Sequence, residues 1–216
     1  MGRSSEKFII KHFQNHPTEH PESWKSLEVL TLGSLSKLYQ NIKHQLPEKN
    51  IIAREFWLYN QKYLTSWLIS ITVIRNIIAH HSRLWNRVLI NKYDWPTSTP
   101  KPLLSYIPDN NQRRKIFPLL SVILYMNNEI SPGNSIKQEL FELFNKFPQI
   151  HLSRMGFPNN WQNEPLWQWA SNPNKYWKNN YKTCRTESIR QLIGIEKGTH
   201  KNLTRIMNKI LARLEQ

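Results

Sequence analysis

Trp67, Ile71, Ile74 and Ile78 recur at the spacing of one buried helical face, and this stripe constrains the chain more than any other feature. It predicts a long helix over residues 60–85. The neighbouring segments read the same way. Ser34 is expected to cap a helix through residue 45, with Leu35, Leu38 and Ile42 on its apolar side. Pro47 opens the next helix, through about residue 57. Shorter helices are expected near residues 6–14 and 24–30. Four prolines make residues 94–108 a loop. A second long helix follows over 111–128, where Pro118 marks a kink or a late start. Ser135 caps a helix that Pro148 closes, and residues 156–169 form an aromatic-rich irregular stretch.

Only six glycines occur in 216 residues, too few for the closely spaced turns of a sandwich or barrel. The expected fold class is therefore all-α. Apolar residues at 39% and nine tryptophans supply a core. Composition shifts after Ala170, which divides the chain into a helical domain over 1–170 and a basic extension over 171–216. Within the extension, Leu203, Ile206, Ile210 and Leu214 predict an amphipathic helix over 199–216.

Thirty Lys and Arg stand against fifteen Asp and Glu, a formal net charge of +15. A field of that sign and size attracts polyanions, and nucleic acid is the commonest of these. The single cysteine, Cys184, rules out a disulfide within the chain and disfavours a Cys-based metal site. Its isolation fits a reducing cytoplasm. The N-terminus lacks the apolar stretch of a signal peptide, and no run of about 18 apolar residues predicts a membrane span. No glycine-rich phosphate loop is present. The acidic residues are scattered, and His12, His16, His20 and His44 lack ligand spacing, so these histidines are read as surface residues. No metal and no cofactor are expected.

The chemistry concentrates near residue 75. At 100° per residue, with Asn76 at zero, His80 falls about 40° away and Arg83 and Arg87 about 20° to either side. Arg75 lies on the shoulder, about 100° away. If the helix runs that far, it carries one narrow cationic edge bearing a histidine. His81 falls near 140°, on the apolar side, and is expected to pack in the core. A histidine among arginines suits RNA cleavage without a metal. The 2′-hydroxyl attacks its own phosphorus, a side chain moves protons, and cations stabilise the crowded phosphate.

The block Arg75-Asn76-Ile77-Ile78-Ala79-His80-His81-Ser82-Arg83-Leu84-Trp85-Asn86-Arg87 resembles the signature of bacterial abortive-infection proteins of the AbiD/AbiF type. Those proteins belong to the HEPN superfamily, whose R-x(4–6)-H motif forms a ribonuclease centre. The upstream context is similar too: Trp24, then Glu28 to Tyr39, Ile52-Ala53 and Ser66-Trp67-Leu68. The likeness spans residues 12–169. It implies a HEPN-like helical bundle, a composite site made by a homodimer, and metal-independent endoribonuclease activity in phage defence. It also implies control by a small non-coding antitoxin RNA. By position, Arg75 and His80 become the catalytic pair and Asn76 the residue that orients them. Arg83, Asn86 and Arg87 take phosphate-binding or structural roles. The helices that family members carry before the position of His12 are expected to be missing here.

Two further stretches bear on partners. Lys175, Lys178 and Lys182 alternate with Tyr176, Trp177 and Tyr181, which favours RNA contact by charge and stacking. Arg185, Arg190, Lys201 and Arg205 extend that basic run. Trp161, Trp167 and Trp169 are read instead as packing an irregular segment onto the bundle. Two rival readings stay open: an RNA-binding protein without catalysis, and a subunit that completes a bundle with a separate partner.

Overall fold

A computed structural model describes residues 6–90 and 92–169. All regular structure among them is helical: α1 (Lys7–Asn15), α2 (Ser23–Glu28), α3 (Leu32–Asn41), α4 (Pro47–Glu55), α5 (Gln61–Ala79), α6 (Ile116–Ile130), α7 (Ile136–Lys146) and α8 (Pro165–Trp169). Short 3-10 turns occupy Gln112–Arg114, Leu152–Met155 and Trp161–Asn163. The expected extension over 171–216 lies outside the described residues.

Helix α5 is the hub, packing against α3, α4 and α6. Its apolar stripe accounts for this: Leu64, Trp67, Leu68 and Ile74 are buried, Trp67 completely. Trp67 and Tyr125 meet edge to face, with centroids 5.9 Å apart and planes at 86°. Truncating Trp67 would cost about 3–5 kcal/mol. Gly33 faces α5, and a Cβ there would sit at contact distance, 3.4 Å, from the Thr72 methyl.

The start of α3 corrects the expected cap. Thr31, not Ser34, is the N-cap, and its hydroxyl accepts the Ser34 amide at 3.1 Å. The helix ends at Asn41, four residues early, because Lys49 closes it. The buried Lys49 ammonium donates to the carbonyls of Gln40 at 3.0 Å and Ile42 at 2.8 Å. Those carbonyls lie at the helix end, where no intrahelical donor is available. Burial holds this ammonium below the usual lysine range. His12 is a second correction. It lies on the same face of α1 as Ile9 and is buried, with Nε2 3.2 Å from the Glu19 carbonyl. His16, His20 and His44 are exposed, as expected.

Pro118 sits in the first turn of α6, so the late start holds and the helix is not broken there. The aromatic stretch packs inward. Phe117, Phe157, Trp161 and Trp167 form one aromatic cluster, and the Trp167 indole donates to the Ser121 hydroxyl at 3.1 Å. The buried Glu164 carboxylate accepts the amide and the hydroxyl of Ser105, at 2.7 and 3.1 Å. Those bonds pin α8 to the proline-rich loop. None of the helices among the described residues is long and apolar enough to cross a membrane.

Candidate nucleic-acid and catalytic site

Helix α5 ends at Ala79, with His80 as its C-cap. The single helix over 60–85 is therefore shorter than the stripe predicts, and the cationic edge built on it is corrected beyond that point. The cause is local. His81 adopts a left-handed conformation, φ 52°. Its amide donates to the Ile78 carbonyl at 2.9 Å, and the Ser82 amide donates to the Ile77 carbonyl at 3.0 Å. This pair of reversed bonds is a Schellman motif, with His81 where glycine usually stands. His81 is accordingly exposed, against the expectation that it packs in the core.

The last turn of α5 projects from the bundle. Arg75, Asn76, Ala79 and His80 are exposed there. Ile78 is 54% exposed, which overturns its place on the buried stripe. The Arg75 guanidinium donates to the Asn76 Oδ1 at 3.1 Å, and the Asn76 carbonyl accepts the His80 amide at 3.0 Å. The side-chain link is thus between Arg75 and Asn76, while the bond to His80 is the backbone bond that ends the helix. Arg83 and Arg87 do not continue the helix. They lie on the loop after it, where the Arg87 guanidinium reaches the Arg83 carbonyl at 3.5 Å. Asn86, with φ 52°, turns the chain so that the Arg87 amide meets the Leu84 carbonyl at 3.1 Å.

The loop is held at both ends. Leu84 and Trp85 pack on the core, and Leu89 and Tyr93 are buried in it. The Trp67 indole donates to the Asp94 carbonyl at 2.9 Å, while the Asp94 amide donates to the Ser66 hydroxyl at 3.0 Å. Residue 94 therefore returns about 18 Å back along α5 from its end. Burial of Tyr93 pushes its hydroxyl far above the ordinary phenol range. Among the described residues no three of His, Cys, Asp and Glu converge on a common point. Lys175, Lys178, Lys182, Arg185, Arg190, Lys201 and Arg205 lie outside the described residues.

The family model described as Abi-like protein matches residues 1–86. Over that region the chain is similar to Abi-like proteins. The match takes in α1 to α5 and the block from Arg75 to Asn86, and it begins eleven residues before His12. Residues 87–169 of the span suggested by the sequence lie beyond it. No curated protein and no solved structure matches this chain. The Abi-like match thus covers the candidate pair and the chain after α5 as far as Asn86.

Proposed function

We propose that this chain is an abortive-infection protein that acts as a metal-independent endoribonuclease of the HEPN type. One observation carries the reading. Within the region matched by the Abi-like model, Arg75, Asn76 and His80 share the exposed end of α5, with the Arg75 guanidinium bonded to the Asn76 side chain. In this role Arg75 holds the scissile phosphate and His80 acts as general acid or base. Asn76 orients the guanidinium. The 2′-hydroxyl attacks the adjacent phosphorus, the 5′-oxygen leaves, and the product ends in a 2′,3′-cyclic phosphate.

RNA is the substrate in this reading, and the charge of +15 favours a polyanion. A second copy of the chain completes a composite site in this reading, seated against the exposed Ile78 beside Arg75. The basic run from Lys175 to Arg205 grips RNA, either the substrate or a small non-coding RNA that restrains the enzyme, and the protein works in the cytoplasm. The test is the chemistry of the ends. Purified protein incubated with RNA should leave 2′,3′-cyclic phosphate termini, and Arg75→Ala should remove that cleavage. Cyclic phosphate ends formed equally by Arg75→Ala would refute the assignment of the site.

A further inference from the structure

The loop that follows the candidate pair does not stand alone. The Leu89 amide donates to the Arg114 carbonyl at 2.8 Å, and the Arg114 Nε donates back to the Leu89 carbonyl at 3.3 Å. Leu89 is buried, so this pairing is fixed in place. It sets the end of the 3-10 turn Gln112–Arg114 against Leu89, two residues beyond Arg87 in the chain. The turn is capped by Asp109, whose carboxylate accepts the amides of Asn111 and Gln112 at 2.7 and 2.8 Å.

That carboxylate is engaged by backbone amides and joins no ion pair with the cations around it. Arg113 donates to the Pro108 and Tyr93 carbonyls, at 2.9 and 3.3 Å. Lys115 donates to the Arg154 carbonyl at 3.3 Å, which brings Arg154 to the same neighbourhood. A guanidinium has five donors and an ammonium three, so each of these groups keeps donors to spare. The four ion pairs among the described residues involve none of Arg83, Arg87, Arg113, Arg114, Lys115 or Arg154. Arg83, Arg87, Arg114 and Arg154 are exposed. Arg114, Lys115 and Arg154, from two separate segments, thus lie together outside those ion pairs, while the carboxylate of the turn, Asp109, is bonded to its backbone. In a merely solvated surface, charges of both signs intersperse.

We infer that the turn Gln112–Arg114, with Lys115 and Arg154, is a second phosphate-binding strip for single-stranded RNA. The chemistry is backbone recognition: the strip offers guanidinium forks and an ammonium to successive phosphates, and buried apolar anchors hold it rigid. The arrangement makes the strip a positioning surface, distinct from the reacting atoms. It extends the nuclease reading in that it supplies the track along which that enzyme's substrate lies.

The experiment measures binding and cleavage separately on the full chain. The probe is a labelled 20-nucleotide single-stranded RNA, read by anisotropy across a salt series. Arg114→Glu with Arg154→Glu should raise Kd about tenfold and lower the slope of log K against log salt by about 1.4, or 0.7 per lost phosphate contact. Cleavage at saturating RNA should be retained. Arg114 also braces the Leu89 carbonyl, so Arg154→Glu alone, whose side chain makes no bond among the described residues, keeps the test independent of folding. Its slope should fall by about 0.7. Arg114→Lys should restore most of the affinity. Unchanged Kd and slope in both Glu variants, or no RNA binding by the wild-type chain, would overturn the inference. Binding that responds as expected in a chain that cleaves nothing would overturn the nuclease reading and leave the strip standing.

Discussion

The Ser82 amide donates to the Ile77 carbonyl at 3.0 Å, and this single bond decides where the longest helix stops. It requires the residue between the helix and Ser82, His81, to sit at φ 52°. A non-glycine residue there is strained by about 1–2 kcal/mol. His81→Gly should therefore keep the fold and raise Tm by about 2–4 °C, whereas the β-branched His81→Val should lower it. Thermal unfolding followed by circular dichroism checks both. A large loss of stability in His81→Gly would mean that the imidazole is packed after all.

Lys49 is the buried keystone between α3 and α4. Lys49→Met preserves much of its volume but strands the carbonyls of Gln40 and Ile42. The expected cost is about 2–4 kcal/mol, seen as a shifted denaturant midpoint. The pH dependence follows from the depressed ammonium. The folded state binds this proton more weakly than the unfolded chain does. Stability from Lys49 therefore grows as pH rises from the depressed folded value toward the ordinary lysine range. Lys49→Met should lose that slope.

Gly156 stands at φ 87°, and a Cβ there would lie 2.5 Å from the Lys115 Cβ. Gly156→Ala should destabilise by about 1–3 kcal/mol through overpacking and strain together. Gly133, at φ 79° with open space around it, carries strain alone. Gly133→Ala should therefore cost about 1 kcal/mol, and the difference between the two denaturation curves isolates the clash.

The helices were legible where their signals are local. Pro47 marks the start of α4, Pro118 falls in the first turn of α6, and the Trp67–Ile74 stripe faces the core. The end of α5 was not legible, because the signal for it is a glycine and the chain uses His81. The same substitution ends α4, where Trp57 takes φ 56° and the Leu58 amide donates to the Ala53 carbonyl at 3.0 Å. A chain this poor in glycine closes helices with bulky residues, and periodicity then overruns the true boundary. Thr31 and Ser34 lie one turn apart and are chemically equivalent as caps, so only the structure separates them. Lys49 and His12 are buried through tertiary partners that no spacing announces. Of the candidate site, the identity of Arg75, Asn76 and His80 was legible as a motif. The loop carrying Arg83 and Arg87, and the pairing of Leu89 with Arg114 that brings a second basic segment alongside, depend on contacts distant in sequence.

The most direct test of the central claim is cleavage of structured and total RNA by the purified protein in excess EDTA, with His80→Ala beside the wild type. His80 is exposed at the end of α5, so the variant should fold normally. The account predicts cleavage by the wild type in EDTA and a loss of about 10²–10⁴-fold in the variant. Equal cleavage by both, or cleavage that EDTA abolishes, would contradict it.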